Sequence, residues 1–253
     1  MSMLSIVIVC KNEADTIGRT LQSLQGITDD IVVFDNGSMD GTQQVIRSFG
    51  CRLVEGEWEG FGKTKRKAAG LAKYDWILSL DADEAIDDRL HQSLRETMFD
   101  NPAIVYDLQF KNFLGNKYLK YGEWGGDHHI RIFNRKVTNY NEAPVHESLV
   151  LPPGYAVKKI PGYVLHQTMR DIEEYAGKMV QYAMLNAEKY QQQGKKASWF
   201  KIRLSPAFTF LNYYLFKLGF LDGHAGYICA KMTSWYTFLK YTRLRELNDA
   251  SSR

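Results

Sequence analysis

The sequence is poor in cysteine. Its three cysteines, Cys10, Cys51 and Cys229, are an odd number and lie far apart along the chain. This pattern excludes a disulfide framework, a CxxC redox pair and a structural zinc knuckle. We therefore expect the protein to work in a reducing compartment.

Long hydrophobic runs are also lacking. The first apolar run, Leu4–Cys10, has no basic segment before it, so it predicts a buried strand rather than a signal peptide. A later hydrophobic stretch, residues 207–221, is interrupted by Asn212 and Lys217 and is shorter than the ~20 residues that a transmembrane helix needs. The sequence therefore predicts no membrane-spanning helix.

The chain has only six prolines and 20 glycines and shows no repeat period, which excludes collagen-like, proline-rich and solenoid classes. What it has instead is 45% hydrophobic and 24% charged residues in a length of 253. This composition predicts a folded protein with one large domain or two small ones.

Charge and aromatic residues are unevenly distributed. Residues 195–253 hold ten Lys/Arg, three Asp/Glu and thirteen of the 33 aromatic residues, whereas residues 1–194 carry a net charge of −4. A basic, aromatic segment is typical of binding to nucleic acid or to an anionic membrane surface. Helices that simply pack as a core are the alternative interpretation.

The first 80 residues alternate short apolar runs with amphipathic segments, as in a parallel sheet with crossover helices. Strands are predicted over residues 4–9, 31–34, 51–54 and 76–80. Ligands bind at the carboxyl ends of the strands in such sheets. We therefore expect the functional site just after Val9, Phe34 and Leu80.

The remaining chain predicts a mixed sheet followed by helices. Apolar and polar residues alternate over 105–113, as in an antiparallel strand. Shorter strands are predicted over residues 130–133, 145–150 and 163–166. Asp171 and Glu174 have the spacing of a capping box, and further helices are predicted over residues 199–221 and 225–247.

Acidic side chains follow three of the predicted strands. Glu13 follows the first, Asp35 the second, and Asp81 and Asp83 the fourth. Two carboxylates one residue apart at a strand exit can converge on one divalent cation, which can hold a diphosphate. Asp81 and Asp83 are therefore predicted ligands of Mg²⁺ or Mn²⁺.

Three segments occur in a characteristic order, namely residues 5–13 (SIVIVCKNE), 31–42 (IVVFDNGSMDGT) and 76–84 (WILSLDADE). Together they resemble the motifs of the inverting nucleotide-sugar glycosyltransferases of family 2, which have the GT-A fold. Three later segments are residues 131–133 (RIF), 144–148 (PVHES) and 163–166 (YVLH). These resemble, more narrowly, the bacterial lipopolysaccharide core β-glucosyltransferases.

The resemblance implies an α/β GT-A fold with a mostly parallel central sheet, flanking helices and a C-terminal helical extension. It also implies a set of contacts to the nucleotide sugar. The implied contact residues are Cys10, Asn12, Glu13, Asp35 and Asp81. Asp83, the second acid of the DxD motif, is implied as a metal ligand together with Asp81, and a downstream histidine, His166 or alternatively His146, completes the metal shell.

Basic residues are predicted to face the donor diphosphate. The resemblance places a basic residue of the segment 62–67 near the donor, and Lys65 and Arg66 are assigned to it. Arg131 alternates with Ile130 and Ile132, so it points away from the core and can meet a phosphate. A surface salt bridge is the alternative for Arg131.

An inverting transfer needs one base that removes the proton of the acceptor hydroxyl. Glu147, in the segment Val-His-Glu, is the predicted base, and Asp127, in Gly-Gly-Asp-His-His, is the alternative. A retaining mechanism would need a second carboxylate as nucleophile, and the family resemblance argues against it.

The predicted function is transfer of a hexose, with glucose as the family expectation, from a UDP-sugar to a hydroxyl of a lipid-linked saccharide such as the lipopolysaccharide inner core. Residues 1–194 are predicted to form the GT-A catalytic domain, with a nucleotide-binding half over about 1–100 and an acceptor half over about 101–194. Residues 195–253 are predicted to form a basic aromatic helical extension that docks on an anionic membrane surface, at the cytoplasmic face, and binds no nucleic acid.

Other functions compete with this prediction. One is a polyprenyl-phosphate glycosyltransferase, and another is a non-catalytic protein that binds a nucleotide sugar or a membrane surface. A phosphohydrolase with Asp81 as nucleophile and Asp83 as acid fits poorly, because Ala85 stands where such enzymes usually carry Thr or Val. A sugar nucleotidyltransferase is disfavoured because no Gly-rich, Arg-containing loop follows the first strand.

Overall fold

Four parallel strands with a helix in each crossover form the beginning of the fold. The structure is a computed structural model that describes residues 3–143, 147–151 and 153–250. The strands are β1 Leu4–Cys10, β2 Ile31–Asp35, β3 Arg52–Glu55 and β4 Trp76–Asp81, and the helices are α1 Ile17–Ser23, α2 Thr42–Ser48 and α3 Phe61–Gly70. These bounds confirm the four predicted strands to within one residue at each end.

Antiparallel strands extend this sheet on the far side of β4. The further elements are β5 Glu84–Ile86, α4 Asp88–Glu96, β6 Ile104–Leu114, β7 Lys117–Leu119, β8 His128–Asn134 and β9 Ala156–Met169. Over the described residues the strand order is β3-β2-β1-β4-β8-β6-β9-β5, and β7 pairs with β6. Strand β8 runs antiparallel to both β4 and β6. The predicted mixed α/β sheet is therefore confirmed.

Helices cover both faces of the parallel strands because successive residues of β1 point to opposite sides. Ile6 and Ile8 belong to one apolar cluster, which also contains Ile17 of α1. Val7 belongs to a second cluster, which contains Ala68 of α3. With both faces covered, the carboxyl edge of the strands is where polar side chains gather.

Strand β9 is held tightly against the start of α4. Asp87 caps α4 by accepting the Leu90 N–H at 2.9 Å, and it also accepts the Tyr163 N–H at 3.0 Å. Gly162 has φ +114°, and a Cβ there would lie 2.2 Å from the Leu90 nitrogen. Only glycine combines this left-handed backbone with so close an approach. The contact fixes the strand that carries His166.

The chain divides into two compact units. The first comprises Met1–Phe110 and Asp127–His166, and the second comprises Lys111–Gly126 and Gln167–Arg253. In the second unit, α7 His224–Ala250 contacts both α5 Ile172–Gln192 and α6 Trp199–Leu211. The division does not test the predicted functional boundary near residue 194, which stays a prediction.

The start of α5 agrees with the sequence, and the helix after it does so in part. Asp171 accepts the Glu174 N–H at 2.8 Å, which confirms the predicted cap. The predicted helical stretch over about 199–221 is helical but is not one continuous helix, because α6 ends at Leu211 and is followed by a π-helical turn, Asn212–Phe216. A 3₁₀ turn then brings Gly219 so close to α7 that a Cβ on Gly226 would lie 1.9 Å from the Gly219 carbonyl oxygen.

The prediction of a strand over 145–150 is wrong for its described part. Residues 147–150 form only an isolated bridge, in which Leu149 pairs with Tyr140, and residues 145–146 lie outside the described residues. Among the described residues, no helix combines the length and hydropathy that crossing a bilayer requires.

Candidate functional site

The loops after β1 and β2 are tied together by side-chain hydrogen bonds. Asn12 adopts φ +56°, and its N–H donates to the Ser38 hydroxyl at 2.8 Å. The Met39 N–H donates in return to Asn12 Oδ1 at 2.9 Å. The Glu13 N–H donates to Thr42 Oγ1 at 2.8 Å. Asn12 and Glu13 therefore lie where the sequence predicts them, at the carboxyl edge of the first two strands.

Asp35 is fully buried at the end of β2 and is held by several donors. Gln43 donates to its Oδ2 at 2.6 Å, and the hydroxyl and backbone N–H of Ser38 also donate to it. Burial acts to raise the pKa of Asp35, but these hydrogen bonds outweigh it and the pKa lies below its ordinary value. Burial and the Asp35 charge raise the pKa of the Cys10 thiol, which stays protonated. The Cys10 thiol donates to Asp35 Oδ1 at 3.7 Å, so the two predicted contact residues touch each other.

Asp81, the last residue of β4, contacts two cations. Its Oδ1 lies 2.9 Å from Lys65 Nζ and its Oδ2 lies 3.2 Å from Arg131 Nη2. Burial acts to raise the pKa of Asp81, but attraction to Lys65 and Arg131 outweighs it and the pKa is lowered. Asp81 is therefore an ionised carboxylate with both oxygens engaged.

Lys65 also contacts the predicted base. Its Nζ lies 2.8 Å from Glu147 Oε1, and its side chain is only 5% exposed. The Nζ sits 5.7 Å from the centroid of the Tyr140 ring. Burial acts to lower the pKa of Lys65, but Asp81 and Glu147 outweigh it and the pKa is raised. One buried ammonium thus joins the DxD motif to Glu147.

The prediction that Arg131 points away from the core is wrong, because Arg131 is buried and pairs with a carboxylate that the sequence analysis did not assign to the site. Glu84, which follows the DxD motif directly and is 1% exposed, contacts Arg131 Nη2 and accepts the Asp81 N–H at 2.9 Å. Burial raises the pKa of Glu84, despite the opposing attraction of Arg131. We refer to Lys65, Asp81, Glu84, Arg131 and Glu147 together as the ion cluster.

Asp83 and His166, two of the predicted metal ligands, lie next to each other, and their role as ligands stays a prediction. Asp83 Oδ2 lies 3.4 Å from His166 Nε2, and Glu84 pairs across the sheet with His166. Burial acts to lower the pKa of His166, but its hydrogen bond with Asp83 outweighs it and the pKa is raised. Mg²⁺ and Mn²⁺ accept one or two such protein ligands and complete their shells with phosphate and water.

A larger protein-only metal cage is not found in the described parts of the chain, because no three His, Cys, Asp or Glu side chains converge there on one point. The oxygens of Asp81 contact cations instead, so its predicted role as a metal ligand stays a prediction. His146, the alternative histidine, lies outside the described residues.

The rival base, Asp127, pairs with a histidine, and Arg66, the second predicted cation of α3, is exposed. Asp127 Oδ1 lies 3.0 Å from His129 Nε2. Arg66 is exposed on α3, whereas its neighbour Lys65 is buried. The ring of Phe110 links these regions, because it lies 4.9 Å from the His129 ring and 5.4 Å from the Arg131 guanidinium carbon.

The match to known proteins covers the ion cluster. The model of the family described as Glycosyl transferase family 2 matches residues 5–148, which is more than half of the chain. The chain belongs to glycosyltransferase family 2. The segment matched contains the loops after β1, β2 and β4 and ends just after Glu147.

Relatives of this glycosyltransferase cover nearly its whole length. An uncharacterized glycosyltransferase of Rickettsia typhi is 25% identical over 270 residues, with 98% of this chain and 88% of the relative covered. The lipopolysaccharide core biosynthesis glycosyltransferase LpsC of Rhizobium meliloti is 26% identical over 261 residues, with 99% and 94% covered. The resemblance stated from the sequence is therefore confirmed.

A solved structure shows the same fold. The mannosyltransferase PcManGT from Pyrobaculum calidifontis, solved in complex with GDP-Man and Mn²⁺, superposes with a TM-score of 0.53 at 14% identity. The superposition covers 99% of this chain and 88% of that chain. The predicted GT-A fold of this glycosyltransferase is confirmed.

Sequence reasoning missed three side chains of the glycosyltransferase site. Glu84 directly follows Asp83, and this position in the sequence could have indicated that Glu84 belongs to the site. Phe110 carried no signal, because an aromatic residue in a strand pattern is typical of a core, and Tyr140 lies in a segment for which no element was predicted. Two buried polar atoms here, Arg131 Nε and the Tyr140 hydroxyl, have no hydrogen-bond partner among the described residues. Both are donors that a bound substrate could satisfy.

We expect Arg131→Met to destabilise the fold by about 3–5 kcal/mol, because it leaves Glu84 buried without its cation. The double variant Arg131→Met/Glu84→Gln should recover much of this loss, since the uncompensated charge is then absent. Urea unfolding of the two variants and of Glu84→Gln measures the coupling free energy.

The matched control for this cycle is Arg47→Met, which removes an exposed arginine that lies 3.8 Å from Glu55. Exposed pairs contribute about 0–1 kcal/mol, so the control should stay close to the wild type. Equal effects of the Arg47 and Arg131 substitutions would contradict the assigned pairing of Arg131 with Glu84.

Proposed function

We propose that the protein is an inverting glycosyltransferase that moves a hexose, with glucose as the first candidate, from a UDP-sugar to a hydroxyl of a lipid-linked saccharide such as the lipopolysaccharide inner core. The observation that carries the proposal is the position of Lys65. Its ammonium contacts Asp81, the proposed donor-side acid, and Glu147, the proposed base. One cation thereby holds the two carboxylates that the transfer needs at one site.

The donor side of the site is built for a diphosphate. Lys65 and Arg131 are buried cations that share Asp81, and burial strengthens their attraction for phosphate oxygens. A phosphate oxygen could also accept a hydrogen bond from the orphaned Arg131 Nε. Asn12, Glu13 and Asp35 would contact the nucleoside, because they lie along the same sheet edge.

Asp83 and His166 would hold a divalent cation on the donor diphosphate. When bound, Mg²⁺ or Mn²⁺ supplies positive charge that stabilises the leaving diphosphate. His166 would act as a ligand in its neutral form, and Asp83, whose Oδ2 lies 3.4 Å from His166 Nε2, would be close enough to share the cation.

Glu147 is the proposed general base. Its carboxylate takes the proton of the acceptor hydroxyl as that oxygen bonds to the anomeric carbon and the bond from that carbon to the diphosphate breaks. Because the hydroxyl attacks in a single displacement from the face opposite the diphosphate, the configuration at the anomeric carbon inverts. Lys65 positions Glu147, since it holds the Oε1 atom at 2.8 Å.

The acceptor class is supported by similarity and by the surface of the second unit. LpsC of Rhizobium meliloti, which carries lipopolysaccharide core biosynthesis in its name, aligns with 99% of this chain. The segment from α6 to the 3₁₀ turn exposes many large apolar side chains, which we call the apolar strip. The strip comprises Trp199, Phe200, Leu204, Phe208, Leu211, Leu215, Phe216, Leu218, Phe220 and Leu221.

Cations accompany the apolar strip. Lys201, Arg203 and Lys217 lie exposed on the same segment. Each Lys or Arg near an anionic membrane contributes about 1 kcal/mol, and an exposed apolar face adds burial in the lipid interface. The strip therefore supports peripheral docking at the cytoplasmic face of an anionic membrane, where a lipid-linked acceptor would be presented.

We expect Asp83→Asn to lose the effect of metal on UDP binding, because one ligand charge is removed while the side-chain shape is kept. With wild type, UDP at 100 times its Kd in Mn²⁺ should stabilise the fold by about 2.7 kcal/mol, and EDTA should remove most of this gain. Thermal unfolding with UDP, with and without Mn²⁺, measures both effects.

The control for the metal experiment is Asp88→Asn, which changes an exposed aspartate in the first turn of α4. It should retain the full response to UDP and Mn²⁺. An undiminished Mn²⁺ response in the Asp83 variant would remove that residue from the proposed metal site.

We expect Glu147→Gln to bind UDP and Mn²⁺ nearly as the wild type does but to lose about 10²–10⁴-fold in turnover, because the amide cannot accept the hydroxyl proton. Transfer of radiolabelled glucose from UDP-glucose to a truncated lipopolysaccharide core measures the loss. Asp127→Asn is the comparison and should lose less than about tenfold. If the Asp127 change abolishes turnover and the Glu147 change does not, the base is Asp127.

We expect the protein to sediment with phosphatidylglycerol vesicles at low salt, to be released at high salt, and to ignore phosphatidylcholine vesicles, because attraction to a charged surface is screened by salt. Phe216→Ser should weaken sedimentation about tenfold, since Phe216 is 74% exposed in the apolar strip. Met98→Ser, at a residue 79% exposed in the first unit, is the control. Equal loss in both variants would contradict docking through the strip.

A further inference from the structure

A cavity of about 490 Å³ lies within the second unit, between α6 and α7. Its volume falls within the roughly 300–1,000 Å³ of ligand pockets in proteins. The cavity is lined by Glu123, Leu204, Ser205, Phe208, Thr209, Tyr213, Thr233, Tyr236, Thr237, Lys240 and Tyr241. None of these residues takes part in the ion cluster, so the cavity is a separate feature of the molecule.

The inner wall of the cavity is a row of hydroxyl groups that ends at a carboxyl group. Thr237 donates to the Thr233 carbonyl at 2.9 Å, and Thr209 lies 3.4 Å from the Thr237 hydroxyl. Thr233 contacts both Glu123 and the Cys229 carbonyl through one hydroxyl. Burial raises the pKa of Glu123, against the opposing effects of Thr233 and Lys217. The wall therefore offers both donors and acceptors.

Lys240 is a cation of the lining without a carboxylate partner among the described residues, and Lys195 is a neighbouring cation that does not line the cavity. Lys240 Nζ sits 5.2 Å from the centroid of the Tyr190 ring, and Lys195 Nζ sits 3.9 Å from the same centroid. No ion pair joins either lysine to an acid among the described residues. Burial and repulsion from Lys195 lower the pKa of Lys240. An anion bound beside Lys240 would relieve this repulsion.

The mouth of the cavity is apolar and belongs to the apolar strip. Leu204 and Phe208 both line the cavity and are 61% and 67% exposed. A ligand that fills the cavity and extends out of it past Leu204 and Phe208 would therefore be polar at its buried end and apolar at its outer end. Tyrosine rings, hydroxyls and a carboxyl group are suited to the faces and hydroxyls of a sugar.

We propose that the cavity binds the anionic saccharide of a glycolipid, with its negative group beside Lys240 and its lipid chain leaving over Leu204 and Phe208. The inference rests on the proposed function in so far as this glycolipid is the acceptor. It adds a saccharide site in the second unit, remote in sequence from the catalytic motifs. The site recognises a carboxylated or phosphorylated sugar on a lipid and not the nucleotide donor.

Two matched amphiphiles test the site with the full chain. Dodecyl β-D-glucuronide and dodecyl β-D-glucoside share the chain and the sugar ring and differ in the carboxylate at C6. Calorimetric titration below their critical micelle concentrations should show binding of both, with the glucuronide about tenfold tighter. Lys240→Met should abolish this preference, and Thr237→Val should weaken both ligands because the hydroxyl row is interrupted.

The matched control is Lys231→Met. Lys231 lies on the same helix and stacks on Phe210 and Tyr227 at 4.7 and 5.7 Å, but it does not line the cavity. It should keep the preference for the glucuronide. Equal affinity of the wild type for the two amphiphiles, a preference retained in the Lys240 variant, or the same loss in the Lys231 variant would each overturn the proposal.

The experiments distinguish an error in the proposed function from an error in the proposed saccharide site. The Lys240 variant should keep the full stabilisation by UDP and Mn²⁺, and Asp83→Asn should keep the preference for the glucuronide. Phe216→Ser should also keep that preference, since Phe216 does not line the cavity. Loss of amphiphile binding in the Phe216 variant would show adsorption to the apolar strip and overturn the cavity as the site.

Discussion

A buried lysine that contacts two carboxylates is the constraint on which the site depends. The side chain of Lys65 is 5% exposed, and an unpaired ammonium at that position would lose its hydration without compensation. Asp81 and Glu147 compensate the charge from two different parts of the chain. The end of β4 and the segment at Glu147 must therefore stay within reach of α3 for the fold to tolerate the lysine.

The second buried pair follows the same logic. The guanidinium of Arg131 compensates the buried charge of Glu84. Glu84 in turn accepts a hydrogen bond from the backbone N–H of Asp81. Buried ion pairs often stabilise a fold no better than apolar residues of the same volume, because desolvation offsets their attraction. In the proposed function, a substrate that carries charge of its own would account for their concentration at the carboxyl edge of the sheet. A nucleotide diphosphate on a family 2 glycosyltransferase is such a substrate.

The second unit combines an exposed apolar surface with a polar cavity. An apolar strip with exposed cations borders a cavity whose wall holds hydroxyls, a carboxyl group and a lysine that contacts tyrosine rings but no carboxylate among the described residues. A purely apolar ligand would leave the polar wall unsatisfied, and a purely polar ligand would leave the strip in water. A glycolipid has the chemistry to satisfy both surfaces.

The sequence by itself determined the parallel strands, the acids that follow them and the cap at Asp171, because each is encoded within one element and its adjacent turn. Only the tertiary structure decided that Lys65 is buried while Arg66 is exposed, since α3 carries cations around its circumference and packing against the sheet selects one. Tertiary packing also paired Glu84 with Arg131, which are 47 positions apart, and broke the helix after Leu211. Such choices depend on which distant segments meet, and local sequence patterns do not specify that.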